Sequence, residues 1–419
     1  MNPVVTGVGF VTPIGNDRRT VELSLREGRH GIAPVEFLGN PELSVKVAGT
    51  VKGFSVDSPS WRDWSWPHGY DIPKEVLRGL APHGLYAICS VEQALANAGL
   101  HPADIAEDPD TGLYCASAGS AMLLHHNLAQ MRAVRGARGN PMGVVSSIAG
   151  TLNFNLAAHY RITGTVCGFV SACASSSHAL GYAIDDLRLG RLRRAIVVGA
   201  EELNADSLLP FAHMRALSKQ ADPRLASRPF DAGRDGFVGA AGAVALLIET
   251  PEAASRRGAI PMASAAGWGQ AADGHSVAAP HPEGAGLLLA MERALADAGT
   301  TPAGIDHVSA HATSTPVGDT AEAVALRRLF ASRGLRPTVG ATKGLTGHGL
   351  SVSGVMQAAF SVLSIAGGFV PGNPHLGAAD PQCDGLELPR STLARAPSRV
   401  LSNSSGFGGS NVCHVICAP

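Results

Sequence analysis

The chain is expected to be an α/β protein with mainly parallel, buried sheets. Three observations point there. Apolar runs of strand length alternate with segments of helical period along most of the 419 residues. The strand-like runs are nearly continuous in apolar character, as in sheets covered on both faces. The alternation restarts after about residue 255, giving halves 1–255 and 256–419. No low-complexity linker separates them, so they are expected to share one core.

The elements follow in order. Val4-Val5-Thr6-Gly7-Val8-Gly9-Phe10 reads as a buried opening strand, and Val21 to Gly28 as a short helix. Residues 39–70, with Trp61, Trp64, Trp66 and several prolines, read as a surface excursion. Gly84 to Gly99 is a helix with Leu85, Ile88, Val91, Leu95 and Ala98 on one stripe. Gly112 to Ala116 is a strand, and 120–145 a cap segment. Thr165 to Val170 reads as a buried strand. Ala179, Leu180, Ala183, Ile184 and Leu187 then recur at helical spacing. Ala195 to Gly199, Ala243 to Glu249 and Ile260 to Gly267 are strands. Gly286 to Ala298 is a helix, His307 to His311 a strand, Asp319 to Arg333 a helix and Pro337 to Ala341 a strand. Val352 to Val370 is the longest apolar run. Its serines, glycines and Gln357 make it a core helix rather than a membrane span.

Composition narrows the function. Net charge is −1, so no global basic field exists for nucleic acid or anionic lipid. Seven cysteines, with no CxxC pair, argue against a disulfide scaffold or a Cys-rich zinc site and for a reducing, cytoplasmic compartment. The first fifteen residues lack a basic segment followed by a long apolar one, so they do not read as a signal peptide.

Cys173 is the most informative residue. In Val170-Ser171-Ala172-Cys173-Ala174-Ser175-Ser176-Ser177-His178 it lies where a strand reverses into a helix. A thiol at the positive end of a helix is favoured as thiolate, the nucleophilic form. Three later segments place polar groups after strands: His311-Ala312-Thr313-Ser314-Thr315-Pro316, Thr342-Lys343-Gly344-Leu345-Thr346-Gly347-His348, and Ser404-Ser405-Gly406-Phe407-Gly408-Gly409-Ser410-Asn411. In parallel α/β sheets ligand chemistry gathers at the carboxyl ends of strands. Cys173, His311, Lys343 and His348 are therefore expected to converge.

With these motifs the chain resembles the β-ketoacyl-acyl carrier protein synthases, condensing enzymes of the thiolase fold, and within them the elongating I/II branch. The resemblance runs nearly end to end. It also includes Gly199-Ala200-Glu201-Glu202, Arg228-Pro229-Phe230-Asp231 and Arg234-Asp235-Gly236-Phe237-Val238. It implies two similar α/β halves in an α-β-α-β-α core with a cap. It implies Cys173 as the acyl-accepting nucleophile, with His311 and His348 donating hydrogen bonds to the malonyl thioester oxygen. Lys343 would position the second His, His348, and hold the site's electrostatics. The amides of Cys173 and Phe407 would form the oxyanion hole, with Phe407 and Phe237 as gates. Thr313 and Thr315 would hold the phosphopantetheine arm. No metal or redox cofactor is implied.

The partners implied are acyl carrier protein bearing acyl and malonyl groups, and a second subunit in a homodimer or heterodimer with strands across the interface. Arg135 and Arg138, with Arg132, are the leading candidates for docking an acidic carrier. Lys74, Arg78 and the Arg188/Arg191/Arg193/Arg194 cluster are further ones. Ala116, Ala118, Gly119 and Ala121 are candidate linings for the acyl chain.

The chain departs from the family pattern at Ala312, at Ser351-Val352-Ser353-Gly354, at Gly239-Ala240-Ala241-Gly242, and at Gln357, where a Glu is usual. Two readings therefore stand: decarboxylating condensation in fatty acid synthesis, or a specialised type II polyketide or aryl-polyene ketosynthase working with a chain-length partner. A non-catalytic partner subunit is disfavoured because Cys173 and both histidines are present. A degradative thiolase is disfavoured because Cys413 and Cys417 lack its Cys-x-Gly turn.

Overall fold

The computed structural model describes residues 2–419. Ten strands join in one sheet. β1 (Val4–Val11), β4 (Thr111–Ala116), β5 (Val166–Phe169), β6 (Arg194–Glu201) and β7 (Gly242–Glu249) come from the first part of the chain. β8 (Ala263–Ala272), β9 (His307–Ser309), β10 (Thr338–Gly340), β11 (Arg399–Gly406) and β12 (Ser410–Cys417) come from the second. A separate ribbon pairs β2 (Ile32–Pro34) with β3 (Val47–Gly49).

The order is β10-β9-β11-β12-β8-β1-β7-β6-β4-β5. Read outward from β1 and from β8, each set of five has the same arrangement. Its first, fifth, fourth, second and third strands lie side by side. The repeat that sequence alone does not display is therefore explicit in topology. The sets meet where Val4 and Val5 of β1 pair with Ser264 and Ala263 of β8.

Helices make three layers around the strands. Pro82–Asn97 covers β1, β6 and β7, and Thr151–Tyr160 covers β4 and β5. Ala285–Asp297 covers β8, β11 and β12 on the other outside face, with Pro316–Leu329 beside it. Between the sets lie Ser175–Arg188 and Ser353–Gly367, each touching strands of both. Every residue from Ser353 to Ile365 is buried. Ser361 and Ser364 return their hydroxyls to carbonyls one turn back, so the helix buries no orphan polar group there. Its apolar stretch, Leu350–Gly367, is 83% buried inside the protein, as a core helix requires. Gly354 lets the two central helices meet: a Cβ there would stand 2.1 Å from Ser177 Oγ.

Several expectations need correction. The sheet is mixed, because β1, β7, β8 and β12 run antiparallel to their neighbours. β5 is not buried but lies at the sheet edge, and Val170 beyond it is 71% exposed. Ile260 is a surface residue, and its strand begins only at Ala263. Residues 39–70 are not wholly an excursion, since Val47, Val51, Val56 and Trp64 are buried. The helix expected from Asp319 begins at Pro316, where the ring's fixed φ suits the first turn.

Candidate active site

Four segments meet at one end of the central helices. Cys173 lies one residue before Ala174, which caps the start of the Ser175–Arg188 helix. Ala172 is held at φ 51°, a left-handed conformation disfavoured for a residue with a Cβ. Ser175 Oγ accepts from Ser171 N–H and donates to Ala172 C=O, which locks this elbow. Cys173 as a residue is half-buried, and its thiol lines the cavity.

His348 faces it, with Nε2 3.0 Å from Cys173 Sγ. Its Nδ1 is 2.9 Å from Ser353 Oγ. The His311 ring stands edge-on to His348 with centroids 5.3 Å apart. Burial first, and the charge of Lys343 second, hold both imidazoles well below the usual histidine range, so both are neutral. Each then carries one N–H donor and no positive charge.

Lys343 is buried beneath this pair. Its Nζ donates to His311 C=O at 2.6 Å and to Gln357 Oε1 at 2.5 Å. Glu322 clamps the same segment from the other side, accepting from His311 N–H, Ala312 N–H and Asn403 Nδ2. Asp319 accepts from Ser314 N–H and Phe230 N–H, tying the His311 loop to the Arg228-Pro229-Phe230-Asp231 segment. Arg234 donates to Asp380 and to the carbonyls of Asp231 and Pro316. Those sequence motifs are scaffold that holds the chemical groups in place.

The resting thiol differs from expectation. Burial pushes Cys173 up to about 12, although Lys343 pulls the other way. Desolvation outweighs the helix terminus, so proton removal falls to a neighbour, and His348 Nε2 is in place for it.

The fourth segment is the turn between β11 and β12. Gly406 has ordinary extended backbone, yet a Cβ on it would lie 2.8 Å from Ser171 C=O and 3.0 Å from Cys173 N. The missing side chain lets the turn reach the Cys173 amide. Gly408 and Gly409 have positive φ, placing Phe407 at the cavity, 40% exposed. Phe237 stands edge-on to His348 at 5.3 Å. Phe211 bridges Phe237 and Phe407, at 5.5 and 6.2 Å, and is a residue the sequence reading missed. Nothing in its local pattern singles it out.

The four segments open on one cavity of about 460 Å³. Cys173, His311, Thr313, Thr315, His348, Phe237 and Phe407 line it. Lys343 does not; it acts from behind His311. The hydroxyls of Thr313 and Thr315 are 3.1 Å apart on the entrance side. Arg215, exposed at the mouth and at φ 55°, is another residue the sequence reading missed. Ala116, Ala118, Gly119 and Ala121 are not in the lining; Gly119 packs against Ser147 instead.

The amino-terminal and carboxy-terminal models of the β-ketoacyl synthase family match residues 1–254 and 262–377. The chain belongs to the β-ketoacyl synthase family. It is 36% identical to 3-oxoacyl-[acyl-carrier-protein] synthase 1 of Escherichia coli, over 99% of this chain and 98% of that one. It superposes on a β-ketoacyl synthase from Burkholderia phymatum with TM-score 0.91 at 28% identity, covering 100% and 99% of the two chains. It superposes on the ishigamide ketosynthase/chain length factor with TM-score 0.88 at 27% identity, again covering 100% and 99%.

Proposed function

We propose that the chain is a β-ketoacyl-acyl carrier protein synthase, extending a Cys173-bound acyl chain by two carbons from malonyl carrier protein. The observation that carries this is the 3.0 Å approach of a neutral His348 Nε2 to Cys173 Sγ, with His311 beside it in an apolar cavity. Cys173 Sγ attacks the acyl thioester while its proton passes to His348 and on to the departing pantetheine sulfur. Malonyl thioester then enters past Phe407. Carbon dioxide leaves, and the electron pair it leaves behind becomes an enolate. His311 supplies an N–H donor to the enolate oxygen, and His348 supplies a second once its ring proton has moved from Nδ1, beside Ser353 Oγ, to Nε2, an arrangement whose single-donor loss typically costs roughly 100- to 1000-fold. The enolate carbon attacks the Cys173 thioester, whose oxyanion rests on the Cys173 and Phe407 amides; the C–S bond breaks, and Cys173 leaves as thiolate and takes a proton from solvent to regain its resting thiol.

Thr313 and Thr315 are suited to the amide-rich phosphopantetheine arm. Arg215 at the mouth, with exposed Arg132, Arg135 and Arg138 on the cap, suits an acidic carrier surface. The Arg188/Arg191/Arg193/Arg194 cluster is less suited, because those guanidiniums pair with Asp297, Asp186, Asp108, Asp110 and Glu249. The open edge of β5 suits strand pairing with a second subunit. The boundary near residue 255 suits a division into two halves, and seven free thiols suit a cytoplasmic enzyme. The second reading, a polyketide-type ketosynthase with a chain-length partner, is favoured by Gln357 and Ser353 at the site itself.

Intact-protein mass spectrometry with a panel of acyl carrier protein thioesters tests this. An adduct on wild type and none on Cys173→Ala is expected, while condensation at the normal rate by Cys173→Ala would sink the proposal. An adduct formed only after adding a ketosynthase-like partner would favour the second reading.

A further inference from the structure

The chain places a neutral amide where its family usually carries a carboxylate, and the geometry around that amide fixes its orientation. Gln357 Nε2 lies 3.0 Å from Ala310 C=O, 3.1 Å from Asn403 C=O and 3.3 Å from Ser309 C=O. A flipped amide would set an oxygen against three carbonyl oxygens and an NH2 group against an ammonium. Oε1 must therefore face Lys343. Lys343, 2% exposed, has only two acceptors, and both are neutral. No carboxylate forms an ion pair with it among the described residues. Glu322, the carboxylate bonded to the His311 segment, is already satisfied by three N–H donors.

We propose that Gln357 is a positioning residue. It holds the Lys343 ammonium on the His311 carbonyl through a neutral amide, so that its positive charge acts on Cys173, His311 and His348 instead of being cancelled by a carboxylate. This rests on the condensing function proposed above and explains how the departure at 357 serves it.

The surroundings of Lys343 agree. Burial lowers it to about 8, opposed by Glu322, Cys173 and Asp319. His311 and His348 are the cavity-side groups that feel its charge. Glu201 is the remaining carboxyl near the thiol, and burial raises it to about 7. With neutral acceptors, Lys343 loses its proton at about 8, and its field over the enolate goes with it. Activity is thus expected to fall as pH rises through the Lys343 pKa. A carboxylate at 357 would stabilise the ammonium, raise that pKa and carry the alkaline limb upward. A thioether of similar volume would remove an acceptor and carry the limb downward.

The test is the pH profile of kcat/KM for condensation, from pH 6.5 to 10, for wild type, Gln357→Glu and Gln357→Met with the same carrier substrates. Expected is a wild-type alkaline limb near pH 8, moved up by about one pH unit or more in Gln357→Glu, since one unit corresponds to a modest 1.36 kcal/mol of differential interaction. Gln357→Met moves the limb down and lowers the plateau. Limbs that coincide in wild type and both variants overturn the proposal. If Gln357→Glu does not fold because its carboxylate faces three carbonyls, the downward shift in Gln357→Met decides alone. Wild type that forms no acyl adduct and no product fails the functional reading. Wild type that turns over with an immovable limb fails only the role of Gln357.

Discussion

Gly406→Ala isolates the contact between the Phe407 turn and the Cys173 amide, the pair proposed to hold the oxyanion. Gly406 has φ −132° and ψ 164°, which alanine adopts without strain. The substitution therefore tests space alone. The added methyl would stand 2.8 Å from Ser171 C=O, 3.0 Å from Cys173 N and 3.2 Å from Ala172 Cβ. Ordinary carbon contacts are about 3.5–4.0 Å, so one side must retreat by about 0.5–1 Å. The elbow resists, because Ala172 is already held at φ 51° and both sides of it are bonded through Ser175. The turn carrying Phe407 is then the side that moves, taking with it the amide proposed as an oxyanion donor. Overpacking of this kind costs about 1–3 kcal/mol of stability. Loss of one such donor costs roughly 100- to 1000-fold in kcat. Rapid-quench acyl transfer to Cys173 followed by intact mass, alongside a thermal melt, separates the two effects. A folded Gly406→Ala protein that acylates at the wild-type rate would refute the reasoning, since the turn and the Cys173 amide would then be independent of each other.

Two further outcomes follow from the geometry. Glu249 is fully buried between Arg194, Arg257 and Thr6. Burial alone would raise it, but bonds from Arg257 and Thr6 and the charges of both arginines outweigh burial and hold it below its ordinary value. Its contribution is therefore complete above the unfolded carboxylate pKa of about 4.3 and lost as pH falls through the lower folded value. Glu249→Gln should lower the melting temperature at pH 7 and flatten the acid limb of a stability–pH curve. An unchanged acid limb would contradict this. Thr313→Val with Thr315→Val should raise KM for carrier-borne malonyl roughly tenfold, the equivalent of about 1.4 kcal/mol of lost hydrogen bonding, with kcat little changed. Steady-state kinetics with malonyl carrier protein checks it, and a fall confined to kcat would move these residues from binding the arm to the chemistry.

The sequence by itself named the candidate site residues that the fold brings to one cavity, and the alternation of strands and helices. Cys173 between a strand and a helical stripe, and His311, Lys343 and His348 in turns after short strands, are local features. Local spacing records them because each strand end and helix start is coded by adjacent residues. It also pointed to a core helix, since serines, glycines and Gln357 interrupt the apolar run from Val352 to Val370.

Tertiary structure decided what depends on distant residues. The edge position of β5 follows from strand order, and an edge strand of apolar composition reads the same as a central one. The raised Cys173 pKa follows from how much protein encloses the thiol, which the helix start beside it does not reveal. Phe211 and Arg215 reach the cavity only because their segment folds back over its mouth. Gln357 stands out in sequence as a changed residue. Only the fold shows its amide spanning the carbonyls of residues 309, 310 and 403 and the ammonium of Lys343, because that network joins segments 14 to 48 positions away along the chain.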